Sequence, residues 1–361
     1  MTWDDARRLL AVRLDALGDV LMTTPALRAL KTAQPGRRLT LLASPAGAAA
    51  AALVPEVDEV LVYEAPWMKA TPPRVDRAAP DFSMIDRIRA ERFDGAVIFT
   101  VYSQNPLPAA LLCYLAGIPR RVAHCHENPY QLLTDWVVDP EPAGGVRHEV
   151  RRQLDLVAAV GGRAIDERLS LRVPPGARAR VRRLLKERGL DGRPWVLLHP
   201  GATAPSRRYP PEQFAEAARA LAQATGCAVV LSGTAGEQAL VETMAALIGV
   251  DAVALAGLPL AEFAALVEGA PVLVSNNSGP VHIAAAVGTP VVDLYALTNP
   301  QHTPWGVPHR VLFHDVPCKY CYKSVCPLGH HDCLRRVPPK AVAEAALALL
   351  PSGWPVARDW R

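Results

Sequence analysis

The most constraining feature of this chain is a rhythm. Short apolar runs alternate with amphipathic stretches in two long series, separated by the break Pro174-Pro175-Gly176. In the first series, Leu9–Leu14, Leu39–Ala43, Glu59–Tyr63, Gly95–Thr100 and the short Arg121–Ala123 read as strands. Helices are read at Val20–Thr32, after Ala43, at Asp86–Glu91, at Ala109–Leu115 and from His148 to Val160. The second series opens on a basic helix ending at Arg188 and places strands at Trp195–His199, Ala228–Ser232, near Val253, from Val272 and at Val291–Tyr295. Its helices are Pro211–Thr225, Gln238–Ile248, Leu260–Glu268 and one opening after Ser278. Such alternation signals parallel sheets with crossover helices. The prediction is an α/β chain of two doubly wound, Rossmann-like domains facing across a cleft, with ligands beyond the carboxyl ends of the strands.

Length agrees, since 361 residues at 50% hydrophobic suffice for two cores and are too many to be comfortable in one. The net charge is only +4 and the cations are scattered, which argues against nucleic-acid binding. An anionic small molecule needs only a few local cations. The longest nearly apolar stretch, Ala46–Pro55, is far short of a membrane span, so a soluble cytoplasmic protein is expected. Residues Trp67–Phe82 lack periodicity and carry Lys69, Arg74, Arg77 and several prolines, which reads as a surface loop.

Four places carry chemistry. At Val272–Pro290 an apolar strand runs through Asn276-Asn277-Ser278-Gly279-Pro280 into a helix. Asn277 or Ser278 suits the cap, Gly279 admits a ligand to the backbone, and Pro280 suits the first helical position. The open amides and positive dipole end of that helix are a seat for a diphosphate. Near the amino terminus, Asp15-Ala16-Leu17-Gly18-Asp19 joins the first strand to a helix, and Asp19 reads either as a helix cap or as a general base facing the cleft. After Trp195–His199, the loop offers Gly201, the hydroxyls of Thr203 and Ser206, and the cations Arg207 and Arg208, which suit a diphosphate leaving group without a metal. Ser232-Gly233-Thr234 leads to Glu237, which could bind ribose hydroxyls or simply serve a first helical turn.

Several sequence signatures are absent. There is no G-x-G-x-x-G after the first strand, no P-loop, no nucleophile elbow, no H-E-x-x-H and no D-x-D carboxylate pair for a divalent ion. Dehydrogenases, P-loop hydrolases, serine hydrolases and zincins lose ground accordingly.

Taken in order, Gly18-Asp19-Val20, His199-Pro200-Gly201 with Arg207-Arg208-Tyr209-Pro210, and Asn277-Ser278-Gly279-Pro280-x-His282 with Gly288-Thr289-Pro290 and Thr298-x-Pro300 resemble glycosyltransferase family 9. That family includes the ADP-heptose lipopolysaccharide heptosyltransferases. The resemblance runs from about Leu9 to the last helix. It implies a GT-B fold, with the acceptor on an amino-terminal domain (1–172), the sugar nucleotide on a second domain (177–335), and a helix and tail (336–361) packing back toward the first. It also implies metal-independent, inverting transfer of a sugar, heptose from ADP-heptose, onto a hydroxyl of a lipopolysaccharide-core or other cell-envelope glycan or glycolipid. Asp19 matches the family's base, and Glu237 falls near its ribose-binding acid. Thr203, Ser206, Arg207, Arg208, Gly233, Asn277, Ser278, Gly279, Pro280 and His282 fall to the donor. Asn277 stands where the family commonly has Asp, and Arg207 where it commonly has Lys, which keeps the charge and changes its geometry. Gly18, Lys69, Arg120 and Arg121 are candidates for the acceptor, and the cations among them for contact with the inner membrane face; solvated surface charge explains them equally.

Cys318-x2-Cys321-x4-Cys326-x6-Cys333, with His330 and His331, holds enough soft ligands for a structural zinc or an iron–sulfur cluster, although its spacing matches no standard module. A reduced or partly disulfide-linked loop is the other reading. Two other functions fit the same features: a sugar-nucleotide 2-epimerase, which needs no acceptor, and a non-catalytic nucleotide-sugar-binding module.

Overall fold

The structure is a computed structural model that describes residues 2–69, 71–73, 78–249 and 251–354. The chain divides into two compact units, Met1–Leu171 and Arg172–Arg361. The first contains β1 (Arg8–Arg13), α1 (Leu17–Ala33), β2 (Arg38–Ala43), α2 (Pro45–Ala51), β3 (Glu59–Val62), α3 (Ala79–Ala90), β4 (Gly95–Ile98), α4 (Leu107–Leu115), β5 (Arg120–Cys125), β6 (Asp135–Val138) and α5 (Glu149–Ala158). Its six strands pair in parallel in the order β3-β2-β1-β4-β5-β6. The second contains α6 (Pro175–Glu187), β7 (Trp195–His199), α7 (Pro211–Thr225), β8 (Ala228–Gly233), α8 (Gln238–Ile248), β9 (Ala252–Ala256), α9 (Leu260–Gly269), β10 (Leu273–Asn276), α10 (Gly279–Val287), β11 (Val291–Leu294), β12 (His309–Leu312), α11 (Asp332–Arg335) and α12 (Pro339–Leu347). Its sheet is again parallel and six-stranded, in the order β12-β11-β10-β7-β8-β9.

The predicted alternation is therefore realised twice. Central strands such as Leu9–Val12 and Val229–Leu231 are buried on both faces, as parallel strands covered by helices must be. Proline opens most helices in their first turn, where no amide bond is lost, and left-handed glycines end α7 at Gly226 and α10 at Gly288. Pro25 sits inside α1 and cannot donate to the Leu21 carbonyl; the Thr24 hydroxyl does so instead, at 2.7 Å.

Two strands escaped the sequence reading. Both β6 and β12 are short sheet edges, half exposed and carrying Asp135, His309 and Arg310, so neither presents the apolar run that marks a central strand. The loop read as Trp67–Phe82 is shorter than expected, because α3 opens at Ala79; Arg74 and Arg77 lie outside the described residues. The terminal helix α12 packs on α7, and its Val342, Ala343 and Ala346 join the core of the second unit; residues 355–361 of the tail lie outside the described residues. The Tyr209 hydroxyl, donating to the Val337 carbonyl at 2.7 Å, fixes the approach to that helix.

Candidate active site

In a doubly wound sheet the loops leave a crevice where the strand order reverses. In the first unit the reversal lies between β1 and β4. A cavity of about 290 Å³ opens at their carboxyl ends, lined by Asp15 after β1, by Phe99, Thr100, Gln104 and Asn105 after β4, and by Trp67 and Lys69. Asp19 stands in the first turn of α1 with 18% of its side chain exposed. One carboxylate oxygen accepts the Ala16 amide at 3.2 Å, and the other lies 3.2 Å from Arg13 Nη2. Asp19 thus does the work of a cap while keeping a partly exposed carboxylate. Gly18, one residue before it, is buried.

Arg13 closes β1 as a fully buried cation. Its Nε is 3.1 Å from Asp15, and its Nη2 also lies 2.9 Å from Glu149, at the start of α5. Burial pushes the Glu149 carboxyl up to about 7, with Asp19 adding to the rise and Arg13 opposing it. Of the other cations singled out, Lys69 is exposed on the cavity wall and Arg120 is 3.8 Å from Asp135. Arg121 is a correction. Its guanidinium is buried under β5 and donates to the carbonyls of Leu132, Gln131 and Ile118, so it holds a turn and leaves the acceptor set.

In the second unit the reversal falls between β10 and β7. The loops after these strands are tied by Asn276, whose Nδ2 donates to the Pro200 carbonyl at 2.6 Å while its Oδ1 accepts the Tyr209 amide at 3.0 Å. The turn after β8 joins them. A Cβ at Gly201 would stand 2.2 Å from Glu237 Oε1, so only glycine admits the Glu237 carboxylate against this backbone. That carboxylate also accepts the Thr234 amide and hydroxyl, both at 2.9 Å, which fixes it just beyond Gly233. Buried His199 lies at the base; burial drives its imidazole down to about 4, which leaves it neutral, and its Nδ1 is 3.1 Å from the Ser232 hydroxyl.

The two cations of the β7 loop differ. Arg208 Nε donates to the Ala202 carbonyl at 2.8 Å, whereas Arg207 is half-buried and acts electrostatically on Asp293. Thr203 is exposed. Ser206 does not offer its hydroxyl to a ligand, because it donates to the Lys323 carbonyl at 2.8 Å and so anchors the cysteine segment.

At the head of α10, Gly279 and Pro280 form the first turn; Pro280 carries no amide hydrogen and the Val281 amide donates to the Ser278 carbonyl at 3.1 Å, so what this turn offers an anion is the positive end of the helix dipole with the Gly279 backbone. Neither proposed cap acts as one. The Ser278 hydroxyl turns back to the Asn276 carbonyl at 3.2 Å, and Asn277 is buried with its Nδ2 3.1 Å from both Asp293 and the His302 carbonyl. Burial pushes the Asp293 carboxyl up to about 8, although the Asn277 bond and Arg207 oppose the rise. An aspartate at 277 would stand directly against this second carboxyl, which gives a physical reason for the amide found here. His282 is buried within α10 beside His302, ring centroids 6.5 Å apart.

Arg13, Glu149, Asn276 and Asp293 were not singled out from sequence. Asp293 and Arg13 did leave a signal, a charge set within or beside an apolar strand. Glu149 left none, since an acid in a first helical turn is commonplace.

All four cysteines of the late segment, with His330 and His331, line one cavity of about 30 Å³, room for a single ion or water. Cys318 Sγ lies 3.7 Å from His330 Nε2. Among the described residues, no group of three or more His, Cys, Asp or Glu side chains is arranged to hold a metal ion. Nor, among them, is any helix long and apolar enough to cross a membrane.

Comparison with known proteins joins these features. Residues 82–331 match the family described as glycosyltransferase family 9 (heptosyltransferase). Over 279 residues the chain is 29% identical to lipopolysaccharide heptosyltransferase 2 of Escherichia coli K12, covering 73% of this chain and 77% of that one. A family 9 glycosyl transferase structure from Veillonella parvula superposes with a TM-score of 0.80 at 21% identity, covering 97% of this chain and 98% of that one. The E. coli heptosyltransferase WaaC, solved with ADP-2-deoxy-2-fluoro heptose, superposes with a TM-score of 0.66 at 20% identity, covering 93% and 98%. The chain belongs to glycosyltransferase family 9 and is a glycosyltransferase of GT-B fold.

Proposed function

We propose that this enzyme transfers a heptose from ADP-heptose to a hydroxyl of a lipopolysaccharide-core or related cell-envelope glycan, with inversion and without a divalent metal. The observation that supports the reading is the second unit's switch point, whose two loops, tied together by Asn276, carry Arg207 and the positive end of α10 at the carboxyl edge of the sheet, where a diphosphate would be received. The heptosyltransferase name of the E. coli relative and the ADP-heptose analogue bound by WaaC support the donor. Residues 177–335 hold the donor in this reading and residues 1–172 the acceptor, in the cavity beside Asp15 and Lys69. The reaction takes place in the cytoplasm, with acceptors reached at the inner face of the membrane.

As the acceptor oxygen bonds to the anomeric carbon, the bond from that carbon to the diphosphate oxygen breaks and its electron pair leaves with ADP. The hydroxyl proton passes to Asp19. An ionised carboxylate suffices, because the hydroxyl becomes acidic only as bond formation advances. Asp19→Asn is expected to lose at least ~100-fold in kcat with ADP-heptose affinity retained. Unchanged turnover would reduce Asp19 to a helix cap. ADP release without an acceptor, together with a rearranged sugar, would favour an epimerase, and binding without turnover a non-catalytic module.

The cysteine-lined cavity stands apart from transfer. Four thiols and two imidazoles offer ligands for a structural zinc or an iron–sulfur cluster, the other reading being a reduced or partly disulfide-linked loop. Metal analysis of anaerobically purified protein, beside a Cys321→Ser variant, decides between them: a zinc or an iron–sulfur cluster in each chain, lost in the variant, would establish the site. Zinc and iron both far below one per chain would leave a loop of thiols.

A further inference from the structure

Three carboxylates share one buried guanidinium in the first unit. Arg13 reaches Asp15 at 3.1 Å, Asp19 at 3.2 Å and Glu149 at 2.9 Å, and both Arg13 and Glu149 are buried, at 0% and 1% exposure. Each member is anchored from a different element. Asp15 accepts from Gln104 Nε2 at 2.5 Å and lines the acceptor-side cavity, while Glu149 accepts from Gln153 Nε2 at 2.5 Å, and that amide also donates to the Thr100 carbonyl at 3.1 Å. The cavity wall and the Asp19 carboxylate are therefore referenced to the same cation.

Arg13 Nη2 donates to Asp19 Oδ1 at 3.2 Å, and a buried ion pair of this kind is rigid because breaking it strands a charge. A second acid on the same guanidinium, buried and anchored from another element, keeps that guanidinium from turning away. The charged groups facing Glu149 are Arg13 from β1, Asp19 from α1 and Arg152 from its own helix.

We propose that Arg13 and Glu149 are positioning residues for Asp19: Arg13 holds the Asp19 carboxylate through the same guanidinium that holds Asp15 on the wall of the acceptor cavity, and Glu149, anchored by Gln153, holds that guanidinium in place from α5. This rests on Asp19 being the base. It assigns catalytic weight to a charge in α5, far along the chain from the amino-terminal loop.

The test is a cycle of Glu149→Gln, Asp19→Asn and the double variant, with kcat and donor KM measured for each. Glu149→Gln keeps the side chain's shape and removes its ion pair with Arg13. Its kcat is expected to fall about 10-fold or more, with donor KM nearly unchanged, as misplacement of a base predicts. In the Asp19→Asn background, Glu149→Gln is expected to change kcat no further. A fully active Asp19→Asn enzyme would remove the base assignment on which the inference rests. An inactive Asp19→Asn enzyme together with a Glu149→Gln enzyme of unaltered kcat would overturn the positioning role alone, as would independent losses that multiply in the double variant. Arg13→Lys, which keeps the charge and loses the fork, gives a second reading of the same cycle if Glu149→Gln fails to fold.

Discussion

The buried carboxyl of Asp293 makes the stability of the second unit depend on pH in a way that a single substitution should abolish. Asp293 lies within β11 at 0% exposure, with one oxygen on Asn277 and the other, Oδ1, without a hydrogen-bond partner among the described residues. Burial raises its carboxyl from an ordinary 3.8 to about 8. A group whose folded-state value is raised holds its proton longer when folded. Its stabilising contribution is therefore complete below the unfolded value and is lost as pH rises through the folded one, here from about pH 4 to about pH 8. At ~1.36 kcal/mol per unit, the full shift corresponds to roughly 6 kcal/mol, and relaxation with water entry reduces this to about 2–4 kcal/mol. Asp293→Asn removes the charge and keeps an acceptor for Asn277. Melting followed by circular dichroism should place the variant roughly 5–15 °C above the parent at pH 8.5 and nearly level with it at pH 5, using ~2–4 °C per kcal/mol for a unit of this size. An offset of equal size at both pH values would refute the reasoning.

Two further outcomes follow from the same unit. Arg207→Ala should weaken ADP binding by about 10- to 100-fold, the value of one charge-assisted contact, read from the ligand-induced rise in melting temperature, and Arg207→Lys should recover only part. Tyr209→Phe leaves the Val337 carbonyl buried without its 2.7 Å donor and should cost about 1–3 kcal/mol in urea unfolding, with ADP affinity unchanged.

Much of the site was legible because its residues sit in loops whose place is fixed by the strand before them. Once Trp195–His199 and Val272–Asn276 are strands of one parallel sheet, the residues that follow must appear at its carboxyl edge. What each side chain does there was not legible. Ser206 and Arg121 look like ligand groups in sequence, yet both serve the backbone, Ser206 through Lys323 and Arg121 through three carbonyls. The edge strands β6 and β12 were hidden for a related reason, since half-exposed edges carry polar residues that erase the apolar run.

By itself the sequence determined two parallel α/β units, the break between them and the loops that carry chemistry. Those follow from local periodicity, from proline and glycine at helix ends, and from motif order. Only tertiary structure decided that Asp19, Asp15 and Glu149 share Arg13, that Asn277 faces Asp293, that Glu237 rests on Gly201, and that α12 closes the second unit's core. Each of these joins residues from separate elements, and both the proton affinity of a carboxyl and the worth of a cation are set by what folding packs against them.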